Sequence, residues 1–152
     1  MSARRQRQMC IRDRDSHVIP ALIHRMQKTI ETGENEFIVW GSGSPLREFL
    51  YVDDLSNFIN FIIDKEIKND LINVGSGQEI SIKNLAILIK ELMDFKGDIV
   101  FDSSKPDGNP RKLLDSSLLN KFGWNEFTDL RSGLKNTIQW YKSNPRSSRI
   151  NQ

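Results

Sequence analysis

The residues with most chemical potential lie in one stretch, Phe37 to Leu55, FIVWGSGSPLREFLYVDDL. Arg47 sits there between a Gly/Ser/Pro loop and an apolar run, seven residues after Trp40. A guanidinium on a strand edge, near an indole, suits a phosphate or carboxylate ligand that carries a ring. The alternative is a surface arginine paired with Glu48 beside a core tryptophan. A second group lies at Lys105–Lys112, where Lys105, Asp107, Arg111 and Lys112 are gathered among Pro106, Gly108 and Pro110. Cations there could meet a diphosphate, and Asp107 could accept hydrogen bonds from sugar or ribose hydroxyls; a solvated loop is the competing reading. Gly41-Ser42-Gly43 after a strand imitates the start of a dinucleotide fingerprint. It lacks a third glycine, and Pro45 and Leu46 stand where a helix should open. We reject it as a cofactor loop.

The elements that must carry these groups alternate between helix and strand, which indicates an α/β chain. Ile19, Leu22, Ile23, Met26 and Ile30 make one apolar stripe, predicting a helix from His17 to about Thr32, capped by Ser16 and closed by Gly33. Phe37–Trp40 is β-branched and aromatic and predicts a strand. Phe49–Val52 predicts a second extended run, after which Asp53-Asp54 cap a helix reaching about Lys65. Leu71–Val74 predicts a short strand of the kind found inside a covered parallel sheet. Ser81 caps the next helix, with Leu85, Leu88, Ile89 and Leu92 buried. Asp98–Phe101 predicts a strand, Leu118, Leu119 and Phe122 a short helix, and Leu130, Leu134, Ile138 and Tyr141 a final one. Arg146–Gln152 reads as a frayed tail.

Composition bounds the function. At 152 residues, 38% apolar and 28% charged, the chain suits one domain or part of a larger one, with no run long enough to span a membrane. The single Cys10 excludes an internal disulfide and any multi-cysteine metal site, and His17 and His24 are too few for a zinc motif. No metal is expected, and a reducing, cytoplasmic setting is the default. Five of the arginines fall within residues 1–14, leaving the remainder slightly acidic. Such an arm could bind nucleic acid or serve as a transit peptide. However, Arg4–Arg14 back-translates throughout, in one frame, to a transposase sequencing adapter. Residues 1–14 are therefore read as an assembly artefact, and no nucleic-acid partner is expected.

Four segments carry a resemblance: HVIPALIHR (His17–Arg25), VWGSGSPLREFLYVDDL (Val39–Leu55), INVGSGQEISI (Ile72–Ile82) and FDSSKPDGNPRKLLD (Phe101–Asp115). Together and in this order they resemble the GDP-L-fucose synthase family, NADPH-dependent epimerase-reductases of the extended short-chain dehydrogenase/reductase type. The likeness runs from about Ser16 to Asn144. It implies an α/β fold in which residues 15–145 form the C-terminal, substrate-binding portion plus the last elements of a Rossmann sheet, with the N-terminal Rossmann portion missing. It implies that His17 is the general acid of epimerisation and touches the NADP site. It further implies that Arg25, Trp40, Arg47 and Asp107 contact the GDP-sugar, and that the whole enzyme is a homodimer. His24 has no counterpart and reads as a surface helix residue. The family also needs a Gly-rich loop for NADPH and a Tyr-x-x-x-Lys that delivers a proton. Tyr51 is followed by Val-Asp-Asp-Leu and Tyr141 by Lys-Ser-Asn-Pro, so neither fits. The chain as written is not expected to catalyse hydride transfer.

Overall fold

The computed structural model describes residues 17–66 and 71–144. Helix α1 (Val18–Thr32) starts from His17, which has extended backbone angles, and ends at Gly33 in the left-handed region. The expected cap, Ser16, lies outside the described residues, as do the arm 1–14 and the tail 146–152. Strand β1 (Glu36–Trp40) follows, then β2 (Leu46–Glu48), helix α2 (Val52–Ile62) and β3 (Glu79–Ser81). The chain continues through α3 (Ile82–Met93), β4 (Asp98–Asp102), β5 (Arg111–Lys112), α4 (Ser117–Lys121) and α5 (Leu130–Ser143).

Two small sheets result. β1 and β4 pair in parallel, from Glu36 opposite Asp98 to Trp40 opposite Asp102. β2 is the centre of a mixed sheet, antiparallel to β3 and parallel to β5. The period of two along β1 turns Phe37 and Val39 inward and leaves Glu36, Ile38 and Trp40 outside. The inward pair meets Leu22, Ile23 and Met26 of α1, Leu85, Ala86, Ile89 and Met93 of α3, and Leu134 and Ile138 of α5. This is the main core. The α3 stripe is held in register at its start, where the Ser81 hydroxyl accepts from Asn84 N at 3.1 Å. A second cluster joins Phe58 of α2 to Leu119 and Trp124, whose rings meet edge-on at 5.7 Å (Phe58–Trp124).

Four expectations are corrected. The expected extended run Phe49–Val52 forms no strand: β2 is the preceding tripeptide, and Val52 already opens α2. Asp53 and Asp54 accordingly lie in the first turn of the helix and do not cap it. Asp54 is buried instead, accepting from the Thr128 N–H at 2.8 Å and its hydroxyl at 2.7 Å. Burial of a carboxylate is tolerated here because both oxygens are satisfied. Leu71–Val74 is also not a strand. Leu71 is 77% exposed, while Ile72 and Val74 pack against the second cluster, so the run's apolar character serves side-chain packing without a ladder among the described residues. Finally, His24 is no free surface residue: its Nδ1 lies 2.9 Å from the Tyr141 hydroxyl, tying α1 to α5. Burial, with Glu31 nearby, pushes the Tyr141 phenol above its ordinary range.

Helix α2 leaves an apolar stripe uncovered: Val52, Leu55 and Ile59, continued by Ile63, are between 39% and 71% exposed. Contiguous apolar surface of this kind drives association. The chain by itself is expected to self-associate in a concentration-dependent way, and Ile59→Ser to shift the sedimentation profile toward monomer. A monomeric wild-type profile at high concentration would contradict this. No helix among the described residues is long and apolar enough to cross a membrane.

Candidate nucleotide-sugar site

The site is built around β2, because its two neighbours bring distant loops to Arg47. Parallel pairing puts Leu46 opposite Arg111 and Arg47 opposite Lys112. Partners in a parallel ladder point to the same face, so Arg47 and Lys112 share one side of the sheet. Leu46, Glu48 and Arg111 occupy the other. On that second face Arg111 forks onto Glu79 of β3, with Nε at 2.8 Å and Nη2 at 2.7 Å from the two carboxylate oxygens. The bidentate geometry lowers the Glu79 pKa and raises that of Arg111, in both cases chiefly through the hydrogen bond. Arg111 therefore braces the sheet, and of the expected loop cations Lys112 is the one that joins Arg47.

Arg47 is half-buried, and its Nη1 donates to its neighbour's carbonyl, Leu46 O, at 2.7 Å. It does not pair with Glu48. That carboxylate instead accepts from Gly77 N at 2.6 Å and Leu114 N at 3.0 Å, stapling two loops to the strand that carries Arg47. The sequence offered Glu48 only as a salt-bridge partner for Arg47; the structure makes it the residue that ties two loops to β2.

Arg25 and Trp40 form a second unit. The Arg25 guanidinium lies 5.4 Å from the ring centroids of both Phe37 and Trp40, and it donates to Ile38 O. Partial burial lowers the Arg25 pKa from its ordinary value. The Trp40 indole remains 65% exposed, an open aromatic face at the end of β1. Asp107 connects the two units: its Oδ1 accepts from Ser42 N at 2.8 Å and its Oδ2 from the Ser42 hydroxyl at 2.6 Å. Trp40 thus leads through Ser42 and Asp107 to Arg47. His17 stands apart at the exposed start of α1, with no described contact to this group.

The glycine loop after β1 is not a dinucleotide cradle. A Cβ on Gly41 would lie 2.3 Å from the Asp107 carboxylate, so the protein's own side chain fills the place a phosphate would take. The loop also runs into β2 and not into a helix. The loop between β1 and β2 therefore does not fit a nicotinamide dinucleotide. Nor is any group of three or more His, Cys, Asp or Glu among them placed to hold a metal ion.

Known proteins match this chain over part of their own length. The profile of the NAD dependent epimerase/dehydratase family matches residues 10–75. Over that segment the chain is similar to the NAD dependent epimerase/dehydratase family. A probable GDP-L-fucose synthase of Oryza sativa is 50% identical over 130 residues, and the Escherichia coli GDP-L-fucose synthase 41% over 139. Each alignment covers 86% of the chain, which spans only 40–43% of these curated relatives' length. The crystal structure of a GDP-L-fucose synthetase from Naegleria fowleri superposes with a TM-score of 0.80 at 32% identity, again over 40% of that protein. A GDP-mannoheptose C4 reductase from Campylobacter jejuni gives 0.65 at 31% identity. The α/β architecture is that of the C-terminal part of an extended short-chain dehydrogenase/reductase, as the resemblance implied.

Proposed function

We propose that this chain is the nucleotide-sugar-binding portion of an NADPH-dependent GDP-L-fucose synthase, which converts GDP-4-keto-6-deoxy-D-mannose to GDP-L-fucose. The observation that carries the reading is the Arg47–Lys112 pair, two cations on one face of a parallel ladder, with the Asp107–Gly108 loop behind Arg47 hydrogen-bonded to Ser42, two residues after the exposed Trp40 indole. The guanidinium and ammonium neutralise a diphosphate, and the guanidinium can do so with two parallel hydrogen bonds. Trp40, steadied by Arg25, offers a flat apolar wall for a base or sugar ring. Asp107 keeps acceptor capacity beyond its two bonds to Ser42 and can take a ligand hydroxyl. His17 is assigned as the acid of epimerisation and as a neighbour of the nicotinamide, on the resemblance alone. The NADP-bound Naegleria fowleri structure supports the choice of cofactor. Its dinucleotide site and the hydride chemistry are assigned to the rest of the enzyme, since the loop between β1 and β2 forms no cradle for it.

On this reading residues 15–145 are one functional portion of a cytoplasmic, homodimeric enzyme. The 42% identity to a Yersinia pseudotuberculosis GDP-L-colitose synthase favours a GDP-linked sugar. The deciding measurement is NADPH oxidation by the full-length parent, supplied with GDP-4-keto-6-deoxy-mannose or a UDP-sugar. Formation of GDP-L-fucose is expected, and turnover of the UDP-sugar alone would overturn the assignment. The chain printed here is expected to oxidise no NADPH, because neither Tyr51 nor Tyr141 begins a Tyr-x-x-x-Lys.

A further inference from the structure

We propose that Ser42 is a positioning residue for this site: it latches Asp107, and through Asp107 sets the loop that backs the Arg47 guanidinium. The proposal rests on reading this face as a nucleotide-sugar site.

The latch is a directed network. Ser42 donates its N–H to Asp107 Oδ1 at 2.8 Å and its hydroxyl to Oδ2 at 2.6 Å. A hydroxyl has one proton, and that proton is committed to a carboxylate, so the 2.7 Å contact between Ser42 Oγ and Ser44 Oγ must be donated by Ser44. The Ser44 N–H also donates to Ser42 Oγ, at 3.1 Å. The serine oxygen thus accepts twice and gives its proton to Asp107, which orients it without a competing choice. The backbone is shaped for this carboxylate. Gly41 sits at φ +84°, a region that disfavours any side chain, and a Cβ there would lie 2.3 Å from Asp107 Oδ1. Latch and glycine therefore require each other.

The adjoining residue carries the effect to the cation. A Cβ on Gly108 would be 3.3 Å from Arg47 Nη2, so the loop backbone lies directly against the guanidinium. Two residues later Pro110 O accepts from Leu46 N at 2.8 Å, and β5 begins. The loop between β4 and β5 is thereby tied at Asp107 and again at the ladder. Without the first tie, the segment behind Arg47 is held from one side only. In the sequence Ser42 stands in a loop without the pattern of a cofactor cradle, and its partner Asp107 lies in a loop far along the chain.

Ser42→Ala and Ser42→Thr in the full-length parent separate the possibilities, with amide hydrogen exchange and GDP titration as readouts. Hydrogen bonds to a charged group are the strong ones, so Ser42→Ala is expected to speed exchange in residues 103–110 about tenfold. It is also expected to weaken GDP binding by roughly three- to tenfold, and less so when Arg47 is already alanine, as coupled residues are non-additive. Ser42→Thr keeps the hydroxyl and should restore both values, which a merely local packing role would not require. Unchanged exchange in Ser42→Ala overturns the latch whatever GDP does. Faster exchange with an unchanged GDP affinity overturns the positioning role. A wild-type parent with the expected exchange pattern that binds no GDP overturns the nucleotide-sugar reading of this face and leaves the latch standing.

Discussion

Arg47→Ala in the full-length parent is expected to raise KM for the GDP-sugar by about 10- to 100-fold while changing kcat little. The range follows from the loss of a charge-assisted contact, about 1.5–3 kcal/mol, at about 1.4 kcal/mol per tenfold. A contact to the non-reacting diphosphate stabilises ground and transition states alike, so its removal falls on KM. Lys112 shares the face of Arg47 and should retain part of the affinity. Arg47→Lys should recover charge but not the forked geometry, giving an intermediate KM. In the chain by itself, where most of a relative's length has no counterpart, the same substitution should barely register, because GDP binding is weak from the start. Steady-state kinetics of the parent, set beside GDP titration of the chain, checks both halves. An unchanged KM in the parent would remove Arg47 from the diphosphate.

Phe37→Ala is expected to cost about 3–5 kcal/mol, a large part of the roughly 5–15 kcal/mol that stabilises an ordinary domain. Phe37 is 1% exposed and sits where β1 meets the helices α1 and α3. Removing its ring leaves a cavity at the junction that also supports Arg25, whose guanidinium lies 5.4 Å from the ring centroid. The cooperative thermal transition should fall sharply or disappear. Two neighbours on the same strand are the controls. Ile38 is 47% exposed and Trp40 65%, so Ile38→Ala should be close to neutral in a melt. Trp40→Ala should likewise keep the fold yet lose ligand affinity in the parent. A Phe37 variant that melts like wild type would mean that β1 is not the spine of the core.

The sequence by itself determined what depends on short spacings. Apolar residues three and four apart specified α1, α3 and α5, because one buried stripe is enough to dock a helix. Ser81 marked the start of α3 through a hydrogen bond that spans three residues. The order of the four motifs pointed to the GDP-L-fucose synthase resemblance before any coordinates, whereas Phe37–Trp40 is apolar at every position and only the fold put Phe37 and Val39 inside and Ile38 and Trp40 outside. Tertiary structure decided what depends on pairing across long separations. Leu71–Val74 has the composition of a buried strand, yet composition records burial and not a ladder, and packing on Phe58 and Trp124 satisfied it instead. His24 gained Tyr141, Glu48 gained Gly77 and Leu114, and Arg111 gained Glu79, all through contacts with residues far away in sequence. Arg47 and Lys112 became one cationic face only through the register of β2 with β5, since a shift by a single residue would have put Arg111 beside Arg47 in its place.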